Sequence, residues 1–341
     1  MGNGGLVVQG GQIERARMGS MIESVCGKLR TSALGFGCGS VMGRVGRGAS
    51  LRAMGEAWEN GITLFDTARS YGFGEAEGVL GEFLRGKREG AVVATKYGMP
   101  VQRQSGVRRL AVGVVRSAFN VPGIRGLVRG KGARAAAAGE FSAAGLRESV
   151  ETSLRELRTD YLDILFLHEA TEAVLYDAEV MDALEGLLSS GKILRAGLYA
   201  GEDVIDRAMK LTPKPIGAAQ FGADPFSALV AGFGIRNKLE LMLIGNHPFG
   251  SEERMKRFKS VLAAASVDES VPGELREKLK GGEQIVLEAL LGIGLKVAGL
   301  HALVFSMMRK DHLEANVRAV EKCRFSVAEL KLIQGRLLGQ G

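Results

Sequence analysis

Short apolar runs alternate with stretches of helical periodicity along most of the chain. The runs predict strands over residues 33–39, 62–68, 91–96, 162–168, 193–198, 216–221, 239–244 and 301–305. Apolar residues recurring every three or four positions predict helices over 50–60, 75–85, 143–158, 178–190, 203–211, 283–292 and 311–322. Gly61 and Gly191 stand where a helix ends in a left-handed cap. Eight strands with helices between them predict a parallel sheet closed into a (β/α)8 TIM barrel, with a doubly wound open sheet as the alternative. Two regions break the alternation. Residues 1–30 are glycine-rich and weakly patterned, and are expected to form an N-terminal tail and a lid segment over the barrel bottom. Residues 99–142 form a long insertion after the third strand. The expected organisation is therefore one barrel domain over 31–335, carrying that insertion, and a C-terminal tail at 336–341.

Composition agrees with a single barrel. The chain has 341 residues, 46% hydrophobic and 24% charged, enough to bury a large core. No apolar run reaches the roughly 18 residues that span a bilayer, so no integral membrane segment is expected. The first residues lack the basic start and apolar stretch of a secretory leader, and Leu6 stands where a myristoylation signal needs Ser or Thr. Cys26, Cys38 and Cys323 are far apart and unaccompanied by metal-ligand spacing. Neither a disulfide framework nor a metal site is implied, and a cytoplasmic location is the expectation.

The net charge of +7 changes meaning once it is located. Arg103, Arg108, Arg109, Arg116, Arg125, Arg129, Lys131 and Arg134 fall in a stretch without a single acid. Removing those eight from the 45 basic residues leaves 37 against 38 acidic. The basicity belongs to the insertion, which argues against a general nucleic-acid surface.

Chemistry gathers at strand ends. Asp66 ends the second apolar run, Tyr71 follows five positions later, and Lys96 ends the third run. If those runs are neighbouring strands, the three form one set: a phenol, a lysine able to lower its pKa, and an acid to position the lysine. Such a set can protonate a carbonyl oxygen. His168 ends the fourth run, and active sites of barrels of this type lie at the C-terminal strand ends.

These residues carry a resemblance. Gly61-Ile62-Thr63-Leu64-Phe65-Asp66-Thr67-Ala68-Arg69-Ser70-Tyr71-Gly72 resembles the aldo-keto reductase signature, the stretch from Ala143 to Asp163 is similar to a second family motif, and Leu165-Phe166-Leu167-His168 to the strand after it. The likeness runs from about Leu34 to Leu330. It implies a barrel that binds a nicotinamide cofactor without a Rossmann domain, with Tyr71 as general acid or base, Lys96 and Asp66 supporting it, and His168 orienting the carbonyl. It implies that Gln220 contacts the nicotinamide carboxamide and Asn316 the adenine. Where the family carries Ser-Asn after the fifth strand, this chain has Gly197-Leu198-Tyr199-Ala200, so Tyr199 is either a packing residue or a new wall of the site that contacts the cofactor. Ser306 replaces a family glycine in the adenosine-phosphate segment, and His312 stands near the arginine that often holds the 2′-phosphate. Arg309 or Lys310 could substitute for that arginine. The implied cofactor is NADP, with NAD also accommodated.

The function so implied is an NADP-dependent oxidoreductase interconverting an aldehyde or ketone and its alcohol. The alternative is a cofactor-binding regulatory or redox-sensing subunit. The expected partner is a small carbonyl or alcohol substrate, and a homo-oligomer is left open. The insertion is expected to hang over the mouth beside Lys96, as a lid selecting a bulky or anionic substrate. Residues 223–236 and 250–282 read as further specificity loops. Two other glycine-rich stretches, Gly35 to Gly39 and Gly81 to Arg88, lack the strand-to-helix context of nucleotide-binding loops.

Overall fold

The computed structural model describes residues 17–18, 21–102, 139–211, 214–232 and 241–339. The eight cations of the insertion lie outside the described residues, and with them the lid expectation.

Three short strands, β1 (Arg17–Met18), β2 (Met21–Cys26) and β3 (Leu29–Ser32), form an antiparallel sheet ahead of the barrel. Eight strands then close a ring: β4 (Leu34–Gly37), β5 (Leu64–Asp66), β6 (Val92–Tyr97), β7 (Ile164–His168), β8 (Ala196–Tyr199), β9 (Ile216–Gly222), β10 (Met242–Asn246) and β11 (Ala302–Phe305). Each is parallel to both neighbours. The fold is the expected (β/α)8 barrel.

Alternation along the strands decides what fills it. Leu64, Val92, Ala94, Ile164, Phe166, Ala218, Met242, Ile244, Ala302 and Val304 pack together as one buried cluster, and most lie two residues apart on their strands. Cys26 and Leu29 of the β2–β3 hairpin join that cluster, so the hairpin plugs the barrel at its N-terminal end. Continuing the same two-residue step towards the C-terminal ends leads from Leu64 to Asp66, from Ala94 to Lys96, from Phe166 to His168, from Ala218 to Gln220 and from Ile244 to Asn246. The polar mouth and the apolar interior are thus one pattern read at two heights.

Outside the ring lie α1 (Arg47–Glu59), α2 (Ala76–Phe83), α3 (Ala143–Leu157), α4 (Ala178–Ser189), α5 (Glu202–Leu211), α6 (Ala228–Gly232), α7 (Glu252–Ala265), α8 (Gly273–Leu279), α9 (Gly282–Gly292), α10 (Lys310–Glu321) and α11 (Val327–Leu337). Side chains cap several starts: Ser142 accepts from the Gly145 N–H at 3.2 Å and Asp177 from the Val180 N–H at 3.1 Å. Helix α2 meets α3 at Gly81, where an added Cβ would stand 2.4 Å from the Glu156 carbonyl oxygen. Phe65 is fully buried with its ring 5.3 Å from that of Phe83 and 5.9 Å from that of Phe36. Burial of one such side chain stabilises by about 1.5–3 kcal/mol.

The expected loop at 250–282 is instead two helices, α7 and α8. Ser251 caps the first, Glu252 and Glu253 suit its positive end, and Phe258, Leu262 and Ala265 form its buried stripe. Part of the expected loop at 223–236 is the helix α6. Helix α11 opens on a Ser326–Glu329 capping box, a start signal present in the sequence.

Candidate active site at the barrel mouth

Four strand ends bring the expected catalytic residues together. The Lys96 ammonium donates to both oxygens of Asp66 at 2.6 Å and to the Thr67 carbonyl at 2.9 Å, and it is 1% exposed. Gln220 donates from Nε2 to Asp66 Oδ1 at 3.0 Å. In the ring order β5 and β9 are diametrically opposed, so this last bond crosses the whole barrel.

Tyr71 enters from the loop after β5. Its N–H bonds to the Ala68 carbonyl at 3.0 Å, and the chain then takes left-handed dihedrals at Gly72 and Phe73. Gly72 is required twice: φ is +58°, and an added Cβ would stand 2.4 Å from the Val41 carbonyl oxygen. This tight turn sets the Tyr71 ring with its centre 5.1 Å from Lys96 Nζ and 6.1 Å from the His168 ring, nearly perpendicular to the latter at 86°. On its other side the His168 ring meets Tyr199, with centres 5.2 Å apart. His168, Tyr199 and Gln220 are in lateral register across β7, β8 and β9.

Electrostatics sharpens the roles. Burial, then the Asp66 carboxylate, push the Tyr71 phenol well above its ordinary value. Burial and the Asp66 charge outweigh the lowering expected from Lys96, and the phenol is protonated. Burial, then the Lys96 charge, lower His168 from 6.5 to about 3, so its imidazole is neutral. Because folding lowers this pKa, protonation favours the unfolded chain. The stability associated with neutral His168 is therefore complete above about pH 6.5 and is lost as pH falls through that value towards 3. The His168 ring proton in NMR spectra is accordingly expected to show no titration midpoint between pH 5 and pH 8. A midpoint near 6.5 would mean a hydrated imidazole and a different role.

A cleft of about 620 Å³ leads away from this cluster, from Asp66 and Tyr71 past Asn246, Phe249 and Phe305 to Ser306, His312 and Asn316. Gln220 Oε1 and Asn246 Oδ1 are buried without a hydrogen-bond partner. Two orphaned amide oxygens near a protonated acid suit a ligand that brings N–H donors, as a carboxamide does. Of the residues expected at the cofactor, Ser306, His312 and Asn316 line the cleft and Gln220 lies at the barrel mouth. Tyr199 packs on His168, and the Asn246 side chain acts on its phenol. Arg309 and Lys310, at the start of α10, are exposed and paired: Arg309 forks onto Asp311, and Lys310 is 3.9 Å from Glu314. Ser306 Oγ bonds to Ser40 Oγ at 2.8 Å, joining the loops after β11 and β4.

Asn246 ends β10, where the two-residue step from Met242 and Ile244 leads to it. Among the described residues no cluster of His, Cys, Asp or Glu could hold a metal ion, and no helix is long and apolar enough to cross a membrane.

Residues 33–229 match the sequence profile of the Aldo/keto reductase family. The chain is 29% identical over 184 residues to norsolorinic acid reductase A of Aspergillus parasiticus, spanning 53% of this chain and 40% of that protein. It is 34% identical over 145 residues to the NADH-specific methylglyoxal reductase of Escherichia coli, spanning 42% and 38%. These matches cover less than half of either relative's length. The solved aldo-keto reductase AKR11C1 from Bacillus halodurans, in its holo form, superposes with a TM-score of 0.63 over 96% of both chains at 24% identity, a likeness of fold. With the profile spanning more than half of its residues, the chain belongs to the aldo/keto reductase family.

Proposed function

We propose that the protein interconverts an aldehyde or ketone and its alcohol with a nicotinamide dinucleotide, Tyr71 acting as general acid for reduction and as base in reverse. The observation that carries this reading is the buried Lys96–Asp66 pair, bonded at 2.6 Å to both carboxylate oxygens, with its ammonium beside the Tyr71 ring. A subunit that only bound cofactor would have no use for it.

Tyr71 holds its proton at the phenol oxygen until a carbonyl oxygen develops negative charge. The nearby ammonium of Lys96 then favours the phenolate left behind, and Asp66 keeps that ammonium in place. Neutral His168 can hydrogen-bond the same carbonyl oxygen without competing for the proton. Gln220 and Asn246 would hold the carboxamide of the cofactor through their unpartnered oxygens. The bound cofactor supplies the hydride. Loss of reduced-nicotinamide absorbance with a panel of aldehydes tests the assignment. Tight cofactor binding without turnover of any carbonyl would instead support the redox-sensing alternative.

The proposed cofactor is NADP, with NAD as competitor. Arg309 and Lys310 are the cations offered to a 2′-phosphate, and Asp311 stands against it by occupying the Arg309 guanidinium. One relative is by its name NADH-specific. Asp311→Asn is expected to strengthen NADPH binding by about tenfold, since a guanidinium freed for phosphate makes charge-assisted bonds, while NADH binding changes little. Fluorescence titration of both nucleotides checks this, and an equal gain for the two would remove Arg309 from the phosphate site. The three free cysteines suit a reducing compartment, and a cytoplasmic location is part of the same proposal.

A further inference from the structure

Arg69, Glu77 and Thr95 form a buried cluster that takes no part in the proton or hydride transfer. Glu77 stands in the first turn of α2 and is 1% exposed, and each of its carboxylate oxygens accepts from a different neighbour. Thr95 donates from Oγ1 to Glu77 Oε1 at 2.6 Å, and Arg69 donates from Nη1 to Glu77 Oε2 at 2.7 Å.

The two donors belong to different limbs of the site. Thr95 immediately precedes Lys96 on β6, and successive strand residues leave opposite faces. Lys96 therefore enters the mouth while Thr95 turns outwards to α2. Arg69 lies two residues before Tyr71, in the loop after β5. Its ion pair with Glu77, eight positions on, closes a span that holds Tyr71 and three consecutive left-handed residues: Gly72 at φ +58°, Phe73 at +61° and Gly74 at +87°. A run of that kind is costly and persists only where its surroundings hold it.

Stability alone does not account for the cluster. Taking two charges out of water costs about as much as their attraction returns, so apolar side chains of similar volume would hold α2 on β6 as firmly. What an apolar contact lacks is direction, whereas charge-assisted hydrogen bonds fix distance and angle. A carboxylate shared between the residue before Lys96 and the loop that carries Tyr71 fixes those two limbs against each other.

Resting on the carbonyl-reductase reading above, we propose that Glu77 is a positioning residue: by bonding Thr95 and Arg69 together it sets the Tyr71 phenol against the Lys96 ammonium. It acts from outside the ring of strands, through its two donors.

Three single variants of the full chain test this. Glu77→Gln loosens both limbs, Arg69→Met only the Tyr71 limb, and Thr95→Val only the Lys96 limb. Leu330→Ala is the control, since it removes buried packing in α11 and none of these bonds. With aldehyde and nucleotide saturating, below the unfolding transition of every variant, kcat should fall by about 10–100-fold in Glu77→Gln and Arg69→Met, the scale of a displacement of about 1 Å. Thr95→Val should lower kcat in the same direction, nucleotide Kd should stay within about twofold throughout, and Leu330→Ala should keep the wild-type kcat. Arg69→Lys, which retains a cationic donor for the one guanidinium contact, should recover most of the loss. A second readout needs no turnover. The His168 ring meets Tyr71 edge to face, so its ring-proton resonance, among those of four histidines, reports where the phenol ring stands. That resonance should move in Glu77→Gln and Arg69→Met and stay in place in Leu330→Ala. Wild-type protein that turns over no carbonyl would sink the reductase reading, and the resonance would still judge Glu77. A resonance unmoved in both ionic variants, a change in KM with kcat intact, or an equal loss of kcat in Leu330→Ala would overturn the positioning role. Should both ionic variants fail to fold, an unchanged kcat in Thr95→Val overturns it alone.

Discussion

Tyr71→Phe is expected to lower kcat by about 10²–10⁴-fold, the range a positioned general acid contributes, while leaving cofactor affinity within about twofold. The reasoning is geometric. The ring would keep its perpendicular contact with His168 and its place beside Lys96, so binding surfaces stay as they are and only the transferable proton is lost. Steady-state reduction of an aldehyde, paired with nucleotide titration, separates the two quantities. Turnover within about tenfold of wild type would mean that the proton comes from elsewhere.

Lys96→Met is expected to damage fold and activity together. Asp66 is 4% exposed and would be left as a buried carboxylate with Gln220 as its one side-chain donor among the described residues, and removing one member of a buried pair costs about 3–5 kcal/mol. A lower urea midpoint is the readout. Adding Asp66→Asn to that variant removes the stranded charge and should restore part of the midpoint but none of the catalysis, because the ammonium that favours the phenolate is still absent. If Lys96→Met unfolds at the wild-type midpoint, the pair carries no stability and the energetic account given for it fails.

Much of the barrel was legible because two periodicities dominate it. The alternating positions of strands and the three- or four-residue repeats of helices both arise from burying one face, and that signal survives in a single sequence. It failed where burial was shared unevenly. The β2–β3 hairpin buries Glu23 and Ser24, polar residues that read as tail or lid segment. Helix α7 was overlooked because charged residues at Arg254, Lys256, Arg257 and Lys259 crowd its outward face, although Ser251 announces its start. Asp66, Tyr71, Lys96 and His168 could be placed since each closes or follows an apolar run. The pairing of Arg309 with Asp311 could not, because side-chain direction at a helix start is a three-dimensional fact.

The bond from Gln220 to Asp66 spans the barrel, and its partners are also residues to which the proposed reaction assigns roles. Wear at the mouth and loosening of the ring are consequently one event. If removing Lys96 lowers the urea midpoint as expected, a chain damaged at Asp66 or Lys96 would open more often, and proteases act on open populations. An inactive copy of this protein would therefore tend to remove itself from the pool, so that surviving molecules and competent molecules are nearly the same set.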